Sequence, residues 1–130
     1  MMRLEHIAFN VPDVQALAKW YVANLDMQIV RAVDEPPYIH FLADSAGKSL
    51  IEIYSDADGS MIDYAQHHPV TFHLAFTADD IEAKREELVG AGAALDGDIN
   101  NRANGDRLAF LRDPWGYTIQ LVQRHQKMID

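Results

Sequence analysis

An internal repeat constrains the fold of this chain more than any other feature. The segment His6-Ile7-Ala8-Phe9 recurs as His73-Leu74-Ala75-Phe76, an offset of 67 residues (73 − 6). Leu50-Ile51-Glu52-Ile53-Tyr54 is echoed by Thr118-Ile119-Gln120-Leu121-Val122, an offset of 68 (120 − 52). Phe41-Leu42-Ala43-Asp44 returns as Phe110-Leu111-Arg112-Asp113, and a glycine follows each aspartate, at Gly47 and Gly116. Three matches in one order and at nearly one spacing indicate two copies of one structural unit.

Each copy shows the same predicted order of elements: a strand, a helix and three short strands. The strands are expected near Leu4–Val11, Gln28–Val33, Tyr38–Ala43, Ser49–Ser55, Val70–Thr77, Ala94–Ile99, Arg107–Arg112 and Tyr117–Gln123. The helices are expected over about Asp13–Asn24 and Asp80–Val89, the second with Asp79 as its N-cap. We expect one α+β domain over residues 1–130, in which two βαβββ modules form an eight-stranded, open, cup-shaped mixed sheet with its helices on the convex face. Module 1 covers about 1–56, a linker with a short helix near Met61–His67 covers about 57–69, and module 2 covers about 70–125.

Charge and composition exclude several classes of function. The net charge is −9, and the arginines are scattered among acids rather than gathered in the basic stripe that nucleic-acid binding needs. The absence of cysteine excludes disulfides and cysteine-based zinc sites. No apolar run approaches the ~18 residues of a membrane span, and the first residues lack the layout of a signal peptide. We therefore expect a cytoplasmic protein with neither nucleic acid nor membrane as a partner.

Four polar residues occupy related positions on the predicted strands. Side chains alternate along a strand, so each of these residues faces away from the large apolar neighbours that pack under a helix. They are His6, Glu52, His73 and Gln120. A single strand histidine or glutamine is more often hydrogen-bonded than a ligand, but four at repeat-equivalent positions predict a metal site. Two imidazoles and two oxygen ligands suit one divalent ion of Zn, Fe, Mn, Co or Ni.

The other histidines lack repeat partners. The pair His67-His68 precedes Pro69 in a predicted loop and is expected at the surface. The side of the strand on which His40 lies is left open, because the strand register there is ambiguous from sequence.

The chain resembles the vicinal oxygen chelate superfamily, which includes glyoxalases, bleomycin-resistance proteins and extradiol dioxygenases. The resemblance rests on the HxAF motif at His6 and His73, the IEIY segment around Glu52, and DPWGYTIQLVQR beginning at Asp113. It covers nearly the whole chain. It implies that the ligand positions of the family fall on these three residues and Gln120, that the substrate is a small molecule, and that the protein is a homodimer.

Gln120 departs from the pattern of this family, which usually carries glutamate at that position. An amide oxygen can bind a metal but cannot act as a general base. One carboxylate leaves a divalent site at formal +1, which favours a substrate bound through adjacent, negatively polarised oxygens. The resemblance thus implies a metal-dependent enzyme of glyoxalase or epimerase type, a lyase or isomerase, with Glu52 as the catalytic group that transfers a proton.

Two other functions are compatible with the same residues. A metal-free binding protein of the bleomycin-resistance type would use aromatic walls, for which the candidates are Trp20, Tyr38, Tyr54, Trp115 and Tyr117. Two histidines and one carboxylate also match the composition of a non-haem iron dioxygenase site. We predict that Tyr54, on the same side of its strand as Glu52, and Trp115 contact the substrate. Metal content separates the enzyme from the binding protein.

Overall fold

The predicted βαβββ order occurs twice in the structure, a computed structural model that describes residues 1–129. The chain divides into two units, Met1–Ile62 and Asp63–Asp130. Each unit contains one copy of the order and one four-stranded mixed sheet. The α+β class is therefore confirmed, and the eight strands are distributed equally over two sheets of the same topology.

In the first unit, the sheet has the order β1-β4-β3-β2, with β1 parallel to β4 and the other neighbours antiparallel. Its elements are β1 (His6–Asn10), α1 (Val14–Asn24), β2 (Gln28–Ala32), β3 (His40–Ala43) and β4 (Leu50–Tyr54). Helix α1 contacts β2 and β3. The side chains buried between helix and sheet include Leu17, Tyr21, Leu42 and Ile53.

Helix α1 forms where the sequence predicts the first helix, over about Asp13–Asn24. The side chain of Asp13 accepts a hydrogen bond from the Ala16 N–H at 3.1 Å, which satisfies one of the free donors of the first turn. The helix ends at Asn24. The N–H of Leu25, its C-cap, bonds to the Tyr21 carbonyl, and Asp26 then takes a positive φ of 54°. The side chains that this helix buries are Val14, Leu17, Ala18 and Tyr21, which recur at the spacing of one helix face.

The second unit repeats the topology with the order β5-β8-β7-β6. Its elements are β5 (Leu74–Thr77), α2 (Ile81–Gly90), β6 (Ala94–Asn101), β7 (Arg107–Arg112) and β8 (Thr118–Gln123). Two short 3-10 helices, Tyr64–Gln66 and Pro69–Thr71, precede them, and the first lies within the short helix predicted in the linker.

Two boundaries in this unit differ from prediction. Helix α2 is capped by Asp80 rather than Asp79, because the Asp80 carboxylate accepts the Ala83 N–H at 3.0 Å. Strand β5 begins at Leu74 rather than Val70, because Pro69 starts a 3-10 turn there. The Val70 N–H bonds to Nδ1 of His68, so it is not available to a strand ladder. His73 consequently lies directly before β5, whereas His6 is the first residue of β1.

Candidate metal-binding residues

In the first unit, His6 and Glu52 lie on one face of the sheet. Glu52 pairs with Ala8 on β1 and with Phe41 on β3, and His6 is two residues before Ala8 on the same side of its strand. Nε2 of His6 is 3.3 Å from Oε1 of Glu52, and their side chains are 32% and 17% exposed. The predicted pair is thus brought together at a partly accessible place.

The surroundings of His6 orient its ring. Its Nδ1 lies 2.7 Å from a carboxylate oxygen of Glu5, and the ring meets the Phe41 ring edge-on, with centroids 5.4 Å apart. A hydrogen-bond partner on Nδ1 orients the imidazole, and metal-binding histidines commonly have a carboxylate or carbonyl in this place. Nε2 is the nitrogen that faces Glu52.

The second unit holds the same arrangement with one chemical change. Gln120 pairs with Ala75 on β5 and with Phe110 on β7, and His73 lies two residues before Ala75. The His73 ring is 5.3 Å from the Phe110 ring, again edge-on, and its Nδ1 lies 3.2 Å from the Pro69 carbonyl oxygen. Each unit therefore presents a histidine, a phenylalanine and an oxygen-bearing side chain, with the carboxylate in the first and the amide in the second.

The spacing of the pair in the first unit is compatible with two ligands of one metal ion. Two ligand atoms, each about 2.0–2.1 Å from one ion at a tetrahedral angle, lie about 3.3–3.4 Å apart. A charge-assisted hydrogen bond is shorter, about 2.7–2.9 Å. The observed 3.3 Å between His6 and Glu52 matches the first value. Among residues 1–129, however, no group of three or more histidine, aspartate or glutamate side chains is gathered closely enough to hold a metal. The first unit brings His6 and Glu52 into contact, and in the second unit strand pairing places His73 and Gln120 on one side of the sheet.

Several residues near these pairs were not found from sequence. Phe41, Phe110 and Glu5 all contact a predicted ligand. The phenylalanines belong to a repeat match that sequence analysis recognised, and the cross-strand positions of Glu52 and Gln120 explain why both copies carry one.

His40 is buried on the opposite side of its sheet. It pairs with Ile53 and bonds through Nδ1 to the Tyr38 carbonyl at 2.9 Å, so it belongs to the side packed under α1. The sequence did not show on which side of its strand His40 lies. In the structure His40 lies on the side opposite to Glu52.

The aromatic candidates fall in different environments. Tyr54 is half-buried and shares its strand side with Glu52. Trp115, also half-buried, lies in the turn between β7 and β8, where Asp113 accepts its N–H. Substrate contact remains a prediction for both. Tyr117 is 3% exposed and packs against Tyr64, and burial raises the pKa of its phenol to about 12, so it belongs to the core.

Comparison with known proteins identifies the class of this protein. Residues 3–121 match the model of the Glyoxalase/Bleomycin resistance protein/Dioxygenase superfamily, and the chain belongs to that superfamily. Members of this superfamily usually use a metal ion. Two relatives are a lactoylglutathione lyase of Haemophilus influenzae (28% identical over 126 residues, 94% of this chain and 93% of the relative) and an ethylmalonyl-CoA/methylmalonyl-CoA epimerase of Cereibacter sphaeroides (29% over 130 residues, 93% and 97%).

A solved structure supports the fold alone. A glyoxalase family protein from Bacillus cereus superposes with a TM-score of 0.79 at 18% identity, over 95% of this chain and 94% of that one. Of the helices in the described residues, none has the length and apolar character to cross a membrane.

Proposed function

We propose that this protein is a metal-dependent enzyme of glyoxalase or epimerase type, acting on a small substrate that binds through adjacent oxygens. The observation that carries the proposal is the His6–Glu52 pair, whose 3.3 Å spacing and carboxylate-backed imidazole suit a shared divalent ion. His73 and Gln120 are proposed as the remaining ligands. The named activities of the relatives, a lyase and an epimerase, support the same reaction class.

The donor set determines the charge of the site. When bound, a divalent ion would act as a Lewis acid toward a carbonyl or hydroxyl oxygen of the substrate. Glu52 contributes the one negative charge among the four ligands, because Gln120 is neutral. The net positive site favours a substrate that gains negative charge on oxygen during reaction.

Glu52 is proposed as the group that moves the proton. It is the carboxylate of the pair, it is 17% exposed, and no arginine or lysine among the described residues forms an ion pair with it. A carboxylate without a cationic side-chain partner remains able to accept a proton from the carbon atom next to a carbonyl group. His6 and His73 hold position, since their Nδ1 atoms are engaged by Glu5 and by the Pro69 carbonyl.

Hydrogen exchange tests this role without requiring the natural substrate. The protein, loaded with zinc, manganese, cobalt or nickel and assayed for bound metal, is incubated in D₂O with lactoylglutathione or methylmalonyl-CoA. NMR follows exchange of the hydrogen on the carbon beside the carbonyl. We expect Glu52→Gln to slow exchange by about 10²–10⁴-fold, the usual contribution of a general base.

The matched control is Glu35→Gln, which makes the same substitution at an exposed loop position of the same unit. It should leave both metal content and exchange unchanged. Undiminished exchange in Glu52→Gln at saturating metal would rule out this role. A wild-type protein that binds none of these metals would instead favour sequestration of a small molecule in the bleomycin-resistance manner.

A further inference from the structure

A β-bulge on β2 changes which side chains of that edge strand face Glu52. Along β2 and β3, Gln28 pairs with Ala43 and Ile29 with Leu42, but the next pair is Arg31 with Phe41. Val30 is the extra residue of the bulge. Without it, Val30 would oppose Phe41 and Arg31 would oppose the buried His40. The bulge therefore turns Arg31 to the face that carries Phe41 and Glu52.

The guanidinium of Arg31 lies over the ring of Phe41, with its Cζ 5.8 Å from the ring centroid. The same ring meets His6 edge-on at 5.4 Å. Arg31, Phe41 and His6 thus form a continuous row that ends at the proposed metal ligand. Stacking over an aromatic ring leaves the N–H donors of the guanidinium plane available to a ligand.

Arg31 has no carboxylate partner among the described residues, whereas three of the other six arginines have one. Arg107 pairs with Glu82, Arg112 with Asp96, and Arg124 with Asp106. No carboxylate in the described residues lies within 4.0 Å of the Arg31 guanidinium, although the chain has 20 acidic residues against 11 basic ones. An exposed, unpaired guanidinium in a chain of net charge −9 is a local positive site for an anion.

We infer that Arg31 is a specificity-determining residue that binds a carboxylate or phosphate group of the substrate, beside the His6–Glu52 pair. The inference rests on the proposed function, and it narrows the substrate class to compounds with two parts: adjacent oxygens that reach the metal ligands, and a second, anionic group. The planar fork of arginine suits both oxyanions because it donates two parallel hydrogen bonds.

Paired hydroxy acids separate the two parts of the substrate. Lactate and malate both contain a 2-hydroxycarboxylate group, and malate has a second carboxylate. Glycerate and 3-phosphoglycerate also contain a 2-hydroxycarboxylate group, and 3-phosphoglycerate has a phosphate in addition. Calorimetry measures the affinity of zinc-loaded and metal-free protein for each. We expect malate, 3-phosphoglycerate or both to bind wild type at least about tenfold more tightly than the parent acid. The pair with the larger advantage identifies the anion as carboxylate or phosphate.

Arg31→Gln should reduce that advantage to about twofold or less, and Arg31→Lys should retain part of it as a point charge. Lys19→Gln is the control, because Lys19 is exposed on α1, which packs on the other face of this sheet. Lys19→Gln removes the same charge as Arg31→Gln and should still bind malate or 3-phosphoglycerate as much more tightly than the parent acid as wild type does.

The outcomes separate the two proposals. If wild type does not bind malate or 3-phosphoglycerate more tightly than the parent acid, or if Arg31→Gln still does, the role of Arg31 is overturned. This conclusion does not depend on whether a metal is bound. An advantage that depends on Arg31 but is equal with and without zinc would support the role of Arg31 and contradict the metal site of the proposed function.

Discussion

Replacing Gly116 by alanine tests how the turn between β7 and β8 is packed. Gly116 has a φ of +89°, and a Cβ built on it would lie 2.7 Å from the Cβ of Ala65. The left-handed backbone costs an L-residue about 1–2 kcal/mol, and overpacking adds about 1–3 kcal/mol. We therefore expect Gly116→Ala to lower the free energy of unfolding by about 2–5 kcal/mol, a large part of the total stability of a small domain.

The repeat supplies a matched control for this substitution. Gly47 occupies the equivalent turn of the first unit, with φ +69° and the same hydrogen bond from its N–H to an aspartate carbonyl, Asp44 rather than Asp113. No atom lies within 4 Å of the Cβ that alanine would add there. Gly47→Ala should therefore show the backbone cost of about 1–2 kcal/mol without the steric one.

Urea unfolding of the variants measures the two contributions separately. Ala65→Gly in the Gly116→Ala background removes the colliding methyl group, so the double variant should recover about 1–3 kcal/mol, measured as a double-mutant coupling energy. Equal losses for Gly116→Ala and Gly47→Ala, or a coupling energy near zero, would refute the steric reasoning and leave backbone conformation as the whole effect.

Two further predictions concern pH. Burial raises the pKa of Tyr117 from its ordinary value near 10 to about 12. The contribution of Tyr117 to stability is therefore complete below pH 10 and is lost as pH rises toward 12, and Tyr117→Phe should flatten the fall in melting temperature over that window. Hydrogen bonds from the His125 N–H and from Arg124 lower the pKa of Asp106 below 3.8, so its contribution is present above pH 3.8 and is lost as pH falls through the folded value. In Asp106→Asn, the free energy of unfolding measured by chemical denaturation should fall less at acid pH than in wild type. An equal fall in both proteins would contradict the lowered pKa of Asp106.

The repeat made most of the architecture predictable. Recurrence of the HxAF segment at an offset of 67 residues predicted the doubled βαβββ order. The apolar periodicity of residues 14–25 predicted α1 nearly to its ends, and the Asp13 cap emerged only in the structure. Side-chain alternation placed His6 and Glu52 on one face, as the pairing of β1 with β4 confirms. These features are local or periodic, so they leave a direct trace in the sequence.

The differences arise where a side chain or an extra residue overrides that periodicity. The strand predicted from Val70 begins instead with a 3-10 helix, Pro69–Thr71, which Pro69 starts and the His68 side chain caps. The bulge at Val30 shifts register inside a run that contains no glycine or proline, so nothing in the sequence marks it. Regular alternation of side chains along the strand would place Arg31 on the opposite side of the sheet from the one it occupies. The sequence alone therefore provided no reason to connect Arg31 with the site.

The two units differ chemically at the position where their frameworks agree most closely. Glu52 and Gln120 each pair with a phenylalanine whose ring meets the neighbouring histidine edge-on, at 5.4 Å in one unit and 5.3 Å in the other. Because the strand pairing and the ring contact recur in both units, the exchange of carboxylate for amide changes charge and basicity while these features are kept. If Glu52 transfers the proton, as we propose, the second unit has no equivalent base, and Gln120→Glu should create a second candidate base at the repeat-equivalent position. An exchange rate that rises in Gln120→Glu, and survives when Glu52→Gln is added, would show that the framework rather than the particular strand defines the base.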